Sequence, residues 1–513
     1  MDRQIRRLGI ALVALFAVLF GQVAYVQVFA AERIADSPGN ATRQIRAEFE
    51  VERGQIIAAD RRTVLARSVE AGPNQVYRFR REYPEGDLFG HVTGYYSRIF
   101  GRAGIEQAFN QYLAGTAPEL AVSNVTDLIL GRTKKGASVY TTIWPELQRV
   151  AREALGGQPG AVAAIDPRTG DVLALYSNPG FDPNVLSSGS DRAIRSAWDE
   201  LNGDASKPLL SKAFQELFLP GSGFKIVTAS AELERDASVD TPWPNPHVLD
   251  LPTTDDDLTN YGGALCAGGA SQVTTLVAFQ QSCNVTFGVM GLDLYGERTG
   301  NFGLSDQADA YGFCMTNPPE VTGCDEPRIP FALPFQNGRF PEAGYFADRI
   351  PARAYAAVGL DNVLTNPLHM ALAAGAIANG GEMMAPRIVT SVRDAQGRTV
   401  REFGTESVSR PISRGTAAEM TQLMLSVTQG GTASSAFSGF GIPVAGKTGT
   451  ATTGDDSPPN AWFSAFAPAG TGEPPRIAVS VIVLEGGGLG DAATGGQIAA
   501  PIARAVIDAY LDG

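Results

Sequence analysis

The chain has 513 residues, material for about three domains, and carries 41 Lys and Arg against 54 Asp and Glu, a formal net charge of −13. That acidity argues against a nucleic-acid partner, whose affinity comes chiefly from phosphates neutralised by Lys and Arg. Hydrophobic residues make up 44% and charged residues 19%, which is too apolar for a disordered chain and enough for packed cores. Three histidines occur (His91, His247, His369), leaving little for His-based chemistry, and the lysines are six: Lys134, Lys135, Lys207, Lys212, Lys225 and Lys447. Lys, unlike Arg, can lose its proton when buried, so each of the six is informative.

Arg3, Arg6 and Arg7 precede an uncharged run from Leu8 to Ala31. As a helix it would be about 36 Å long, more than the roughly 30 Å of a hydrocarbon core. The positive-inside tendency then puts residues 1–7 in the cytoplasm and the bulk of the chain outside the cell membrane. A cleavable signal peptide, with Leu8–Phe20 as its apolar region, is the alternative. The run continues uncharged through Val23–Phe29, which favours a retained single-pass signal-anchor over 1–31. Export in either form puts Cys266, Cys283, Cys314 and Cys324 where disulfides form. Three pairings are open, and proximity favours 266–283 with 314–324; free thiols are the other reading. The spacings match no zinc pattern, and no metal or cofactor is expected.

Residues 32–150 form an Arg- and Glu-rich block with short apolar stretches. The pattern predicts an amphipathic helix over Gln148–Leu155, then buried strands over Ala161–Ile165 and Val172–Tyr176 joined by a turn at Asp166-Pro-Arg-Thr-Gly170. Leu368–Ala378 reads as a buried helix, Ile477–Leu484 as a strand and Ala500–Leu511 as a closing helix. Helices at both ends with strands between predict an α+β domain over 151–513. Glu485–Gly490 lacks the Lys-Ser/Thr ending of a phosphate loop and reads as a flexible loop, and Asp255–Asp257 as a solvated one.

Three short motifs each occur once. Ser222-Gly-Phe-Lys225 follows Pro220-Gly221 and opens a run that can be helical, where positions i and i+3 share a face and the Lys225 amine can reach the Ser222 hydroxyl. Serine needs an adjacent base to act as a nucleophile, and a lysine serves if burial and a nearby cation lower its pKa. Taken alone, an N-cap serine beside a solvated lysine explains the motif as well. Ser282-Cys-Asn284 alone is a polar turn. Lys447-Thr448-Gly449-Thr450 reads as a strand leading into a loop, offering a cation, two hydroxyls and a glycine to an extended substrate that ends in a carboxylate.

In this order the three motifs resemble the signature of penicillin-binding proteins and serine β-lactamases. Asp166–Ala174, Phe181–Asn184, Thr365–Ala371 with Ala378–Gly381, and Ala461–Phe463 are similar to further landmarks of the transpeptidase domain. Arg53-Gly-Gln-Ile56 and Gly104-Ile-Glu106 resemble the pedestal of the class B, monofunctional enzymes, and the chain is most similar to the actinobacterial penicillin-binding protein A type. Gly223 stands where the family usually has Thr, Leu360 where many have Gln, and Asn460 where His is common.

The resemblance implies a transpeptidase domain over 151–513, an antiparallel sheet flanked by helices, behind a pedestal or dimerisation domain over 32–150. It implies Ser222 as nucleophile, Lys225 as general base, Ser282 as proton relay and Asn284 as a hydrogen-bonding partner of substrate and Lys225. Lys447, Thr448 and Thr450 would hold a carboxylate, with Gly449 beside them, and the Ser222 and Thr450 N–H groups would form the oxyanion hole. Peptidoglycan stem peptides and β-lactams are the implied partners, with a membrane glycan polymerase at the anchor and pedestal. An exported D,D-carboxypeptidase or β-lactam sensor, or a non-catalytic scaffold, is the alternative; the pedestal, the lack of a C-terminal anchor and the complete set of polar groups count against these.

Overall fold

The computed structural model describes residues 2–28, 48–72, 77–121, 133–296, 300–318, 327–452 and 457–512. Helix α1 (Asp2–Val28) leads the chain, with Leu8, Leu12, Phe16 and Phe20 exposed along it. Among the described residues, no helix is long and apolar enough to cross a membrane.

The strands that follow include β1 (Ile56–Ile57), β2 (Val64–Glu70), β3 (Phe79–Glu82) and β4 (Ser138–Thr141). The two pedestal motifs meet beside them. The buried Glu106 carboxylate receives Arg53 Nε and Arg81 Nε, each at 2.6 Å, while Arg53 also donates to Asn110 Oδ1 at 2.7 Å. Burial alone would push the Glu106 carboxyl up, but Arg81 and Arg53 outweigh it and hold it below its ordinary value. The Arg of the first motif and the Glu of the second are thus one buried ionic cluster.

The remainder supplies α2 (Pro145–Leu155), β5 (Gly160–Ile165), β6 (Val172–Asn178), α3 (Lys225–Arg235), α4 (Thr275–Gln281), α5 (Asn284–Asp293) and β7 (Arg339–Pro341). It continues with α6 (Pro367–Ala378), β8 (Val389–Arg393), β9 (Thr399–Glu402) and α7 (Arg414–Gly430). It closes with β10 (Ala445–Ala451), β11 (Asn460–Ala467), β12 (Ile477–Val483) and α8 (Ala500–Leu511). An antiparallel sheet runs β10-β11-β12-β5-β6. Helix α6 covers one face, and α2 and α8 the other. Strands buried on both faces read as continuous apolar runs rather than alternations, which is why β5 (Gly-Ala-Val-Ala-Ala-Ile) is buried at every residue. The same logic makes α6 apolar all round.

A second sheet runs β9-β8-β4-β1-β2-β3, pairing Val392 of β8 with Val139 of β4. The pedestal therefore takes two strands from the far half of the chain, and Arg387, just ahead of β8, closes on both Asp171 oxygens at 2.5 and 2.9 Å. Cys266 and Cys283 form a disulfide with Cα atoms 5.7 Å apart, and Cys314 is also disulfide-bonded. Cys324 lies outside the described residues. The glycine run after β12 forms short 3₁₀ turns over Gly487–Ala492, kinked at Gly490 (φ +56°).

Candidate active site

Pro220 and a left-handed Gly221 (φ +50°) break the chain ahead of a 3₁₀ turn, Gly221–Phe224, that carries Ser222 and leads straight into α3. The turn is fixed from three sides. Phe224 stacks on Phe340 with ring centroids 5.3 Å apart, the Gly221 N–H donates to Gly359 O at 3.1 Å, and Trp462 Nε1 donates to Leu219 O at 3.0 Å. Ser222 is half-buried and Lys225, the first residue of α3, is wholly buried.

Ser282 caps α4 in the left-handed region (φ +60°, ψ +44°), and Asn284 opens α5 two residues later. A left-handed residue with a side chain costs about 1–2 kcal/mol. Here it brings both the carbonyl and the hydroxyl of Ser282 to one amine. Lys225 Nζ donates to Ser282 O at 2.8 Å, to Ser282 Oγ at 3.2 Å and to Asn284 Oδ1 at 2.7 Å. Lys447 Nζ, from edge strand β10, donates to the same Ser282 Oγ at 2.9 Å and to Thr448 O at 2.9 Å. Burial, with Lys447 as a second cause, pushes the Lys225 amine well below its ordinary value. Burial lowers Lys447 to about 7.

Ser222, Lys225, Ser282, Asn284, Lys447, Thr448 and Thr450 are thus brought together from α3, the α4–α5 junction and β10. One detail departs from the expected i, i+3 contact. Among the described residues the Ser222 hydroxyl makes no hydrogen bond, because Ser282 and Asn284 offer the Lys225 amine three oxygens. Gly449 packs against the serine turn. A Cβ there would stand 2.6 Å from Pro220 O and 2.9 Å from Gly223 N, so this glycine lets β10 lie against the serine turn.

A cleft of about 380 Å3 opens above the two lysines, lined by Ser222, Ser282, Asn284, Thr448 and Thr450. Its rim includes groups the motifs do not name: Thr432, Thr494, the half-exposed Tyr261 and Leu265, and Leu360. Thr432 Oγ1 and Thr448 Oγ1 are 2.7 Å apart. The signal for Thr432, a Thr after Gly430-Gly431, is too short to single out in a sequence.

A serine beside two buried lysines of lowered pKa, on a sheet packed between helices, fits a serine acyl-transfer fold, and the comparisons agree. The chain belongs to the penicillin-binding protein transpeptidase family: the family model for the penicillin binding protein transpeptidase domain matches residues 160–508. The penicillin binding protein A dimerisation domain matches residues 53–139. The chain is similar to the peptidoglycan D,D-transpeptidase PbpA of Mycolicibacterium smegmatis, at 35% identity over 100% of this chain and 99% of the relative. The PbpA of Mycobacterium tuberculosis is 34% identical over the full length of both. Among solved structures, the ceftriaxone acyl-enzyme complex of penicillin-binding protein A from M. tuberculosis superposes with a TM-score of 0.80 at 34% identity, covering 90% of this chain and 99% of that one. Its penicillin G acyl-enzyme complex superposes at 0.78 and 33%, covering 90% and 100%.

Proposed function

We propose that the chain is a peptidoglycan D,D-transpeptidase that cross-links stem peptides through an acyl-enzyme on Ser222 and is acylated there by β-lactams. One observation carries the reading: two buried lysine amines converge on the Ser282 hydroxyl beneath a cleft whose wall holds Ser222.

Ser222 Oγ attacks the carbonyl of the penultimate D-Ala while the neutral Lys225 amine accepts its proton. The backbone N–H groups of Ser222 and Thr450 hold the oxyanion that forms. Collapse breaks the peptide C–N bond, and Ser282, hydrogen-bonded to both lysines, passes a proton to the departing D-Ala amine. Asn284 orients the substrate amide and Lys225. Lys447, with the Thr448 and Thr450 hydroxyls, holds the terminal carboxylate, and Gly449 lets this strand sit against the serine turn. An amine of a second stem peptide then attacks the ester, forming the cross-link and freeing Ser222. With a β-lactam the leaving amine stays tethered, so the ester persists.

The domain layout is part of the same reading: an anchor over 1–31, a pedestal over 32–150 and the catalytic domain over 151–513. The uncharged run Leu8–Ala31 and the exposed Leu8, Phe16 and Phe20 support a single-pass anchor that keeps the enzyme at the membrane, within reach of a glycan polymerase.

Intact mass after incubation with penicillin tests the reading. A persistent adduct on the native chain and none on Ser222→Ala is expected. Rapid loss of the adduct with ring-opened drug in solution would indicate a hydrolase, and no adduct on folded protein would sink the assignment.

A further inference from the structure

A second cleft, of about 460 Å3, lies where the pedestal meets the catalytic domain. Gln107 faces it from the pedestal helix Gly104–Ala108, the segment ahead of β7 supplies Phe331, Phe335 and Gln336, and β7 itself supplies Arg339. Most of the arginines nearby are engaged: Arg328 with Asp309, Arg349 with Tyr345 O, and Arg353 with Phe346 O and Ala347 O. Arg339 differs. Its backbone is pinned to Leu364, but its half-buried guanidinium has no hydrogen bond or ion pair among the described residues. The Gln107 and Gln336 side-chain amides are exposed and equally unpartnered among those residues.

An unpaired guanidinium presents a fork of donors shaped for a carboxylate, and taking it partly out of water without a counter-ion is costly. Aromatic faces and free amides beside it suit a sugar ring and peptide groups. In a chain of net charge −13, such a site selects an anion against the overall field, so local complementarity must drive it.

We propose that this junction cleft is a second substrate site, holding a carboxylate-bearing segment of the uncross-linked glycopeptide strand while its stem peptide is processed at Ser222. The proposal rests on the transpeptidase reading for the identity of the polymer. The cleft and the catalytic turn share a scaffold, because Phe340, the neighbour of Arg339 on β7, stacks on Phe224, two residues from Ser222.

The test uses full-length Ser222→Ala in detergent, titrated calorimetrically with a disaccharide–tripeptide muropeptide that lacks the D-Ala-D-Ala bond. Saturable binding is expected, weakened at least tenfold by Arg339→Gln. Gln336→Glu, at an exposed position, should weaken it likewise by giving Arg339 an internal carboxylate. Penicillin should not displace the muropeptide. In chains that keep Ser222, both variants should be acylated by penicillin within twofold of the native rate, which checks the catalytic reading separately. No binding by the parent, equal binding by both variants or displacement by penicillin would each overturn the proposal.

Discussion

Lys225 and Lys447 meet on one atom: their amines lie 3.2 and 2.9 Å from Ser282 Oγ. Two ammonium groups sharing one neutral oxygen in a buried site repel each other, so the pair favours a single charge. Lys225, with both burial and Lys447 acting on it, is the one pushed well down, while Lys447 sits at about 7. The arrangement favours one neutral and one charged amine from the same residue type.

A pH profile follows from that pairing. The second-order rate of acylation by penicillin should fall at low pH, as Lys225 takes up a proton, and fall again above about pH 7, as Lys447 loses the charge that holds the carboxylate. Arg does not deprotonate in this range. Lys447→Arg is therefore expected to be slower but to lose its alkaline limb. Stopped-flow acylation from pH 5 to 10 checks this, and an unchanged alkaline limb in the variant would assign it to another group.

Thr432 acts through Thr448. Their hydroxyls are 2.7 Å apart at the cleft wall, and the Thr432 N–H donates to Gln280 O at 3.3 Å. The bond restrains the Thr448 hydroxyl at the wall of the cleft. Thr432→Val keeps the shape and removes the hydroxyl, at a cost on the order of 1 kcal/mol. Weaker binding of β-lactam by about fivefold is expected, with the acylation step itself within twofold and recovery in Thr432→Ser. A loss confined to the acylation step would give Thr432 a different role.

In the pedestal, Glu106 is the only acid paired with Arg53 and Arg81 among the described residues. Glu106→Ala leaves two buried guanidiniums uncompensated, a loss of about 3–5 kcal/mol. The unfolding transition should move down by several degrees or split in two. The folded fraction should still be acylated at Ser222, because the cluster lies outside the catalytic cleft. An unshifted transition would mean that the arginines relax to water.

The residues of the candidate site were legible because acyl transfer needs particular groups in a fixed order, and Ser222, Lys225, Ser282, Asn284 and Lys447 each stand in a unique motif. Strands β5 and β12 and helix α6 were legible because burial on both faces leaves a nearly continuous apolar run, interrupted by Ser480 in β12 and His369 in α6. The sharing of a sheet by β4 and β8 was not, since residues 139 and 392 pair through the backbone and leave no local pattern. Ser282 reads as an ordinary turn residue, and only its left-handed backbone shows how one serine faces two lysines. Thr432, Tyr261 and Arg339 escape for a related reason: each acquires its neighbours from distant segments, and none carries a spacing that chemistry would demand.

Two buried histidines make stability depend on pH. His369 Nδ1 accepts the Gly338 N–H at 2.8 Å, so Nε2 carries the proton and donates to Tyr311 O at 2.8 Å. His91 Nε2 pairs with Pro208 O at 2.8 Å. Burial lowers each to about 4 from 6.5, with Lys212 lowering His91 further. The folded ring stays neutral where the unfolded chain binds a proton, so this contribution is fully present above pH 6.5 and is lost as pH falls toward 4. Each histidine accounts for up to about 3 kcal/mol of that decline. Urea unfolding at pH 7 and 4.5 should show the native chain weakening, and His369→Gln, though less stable at pH 7, weakening by about 2–3 kcal/mol less over the same interval. Glu106 and other depressed carboxyls add their share mainly below pH 4.5, outside the comparison. An equal decline in the variant would show that His369 takes up its proton in the folded state without penalty.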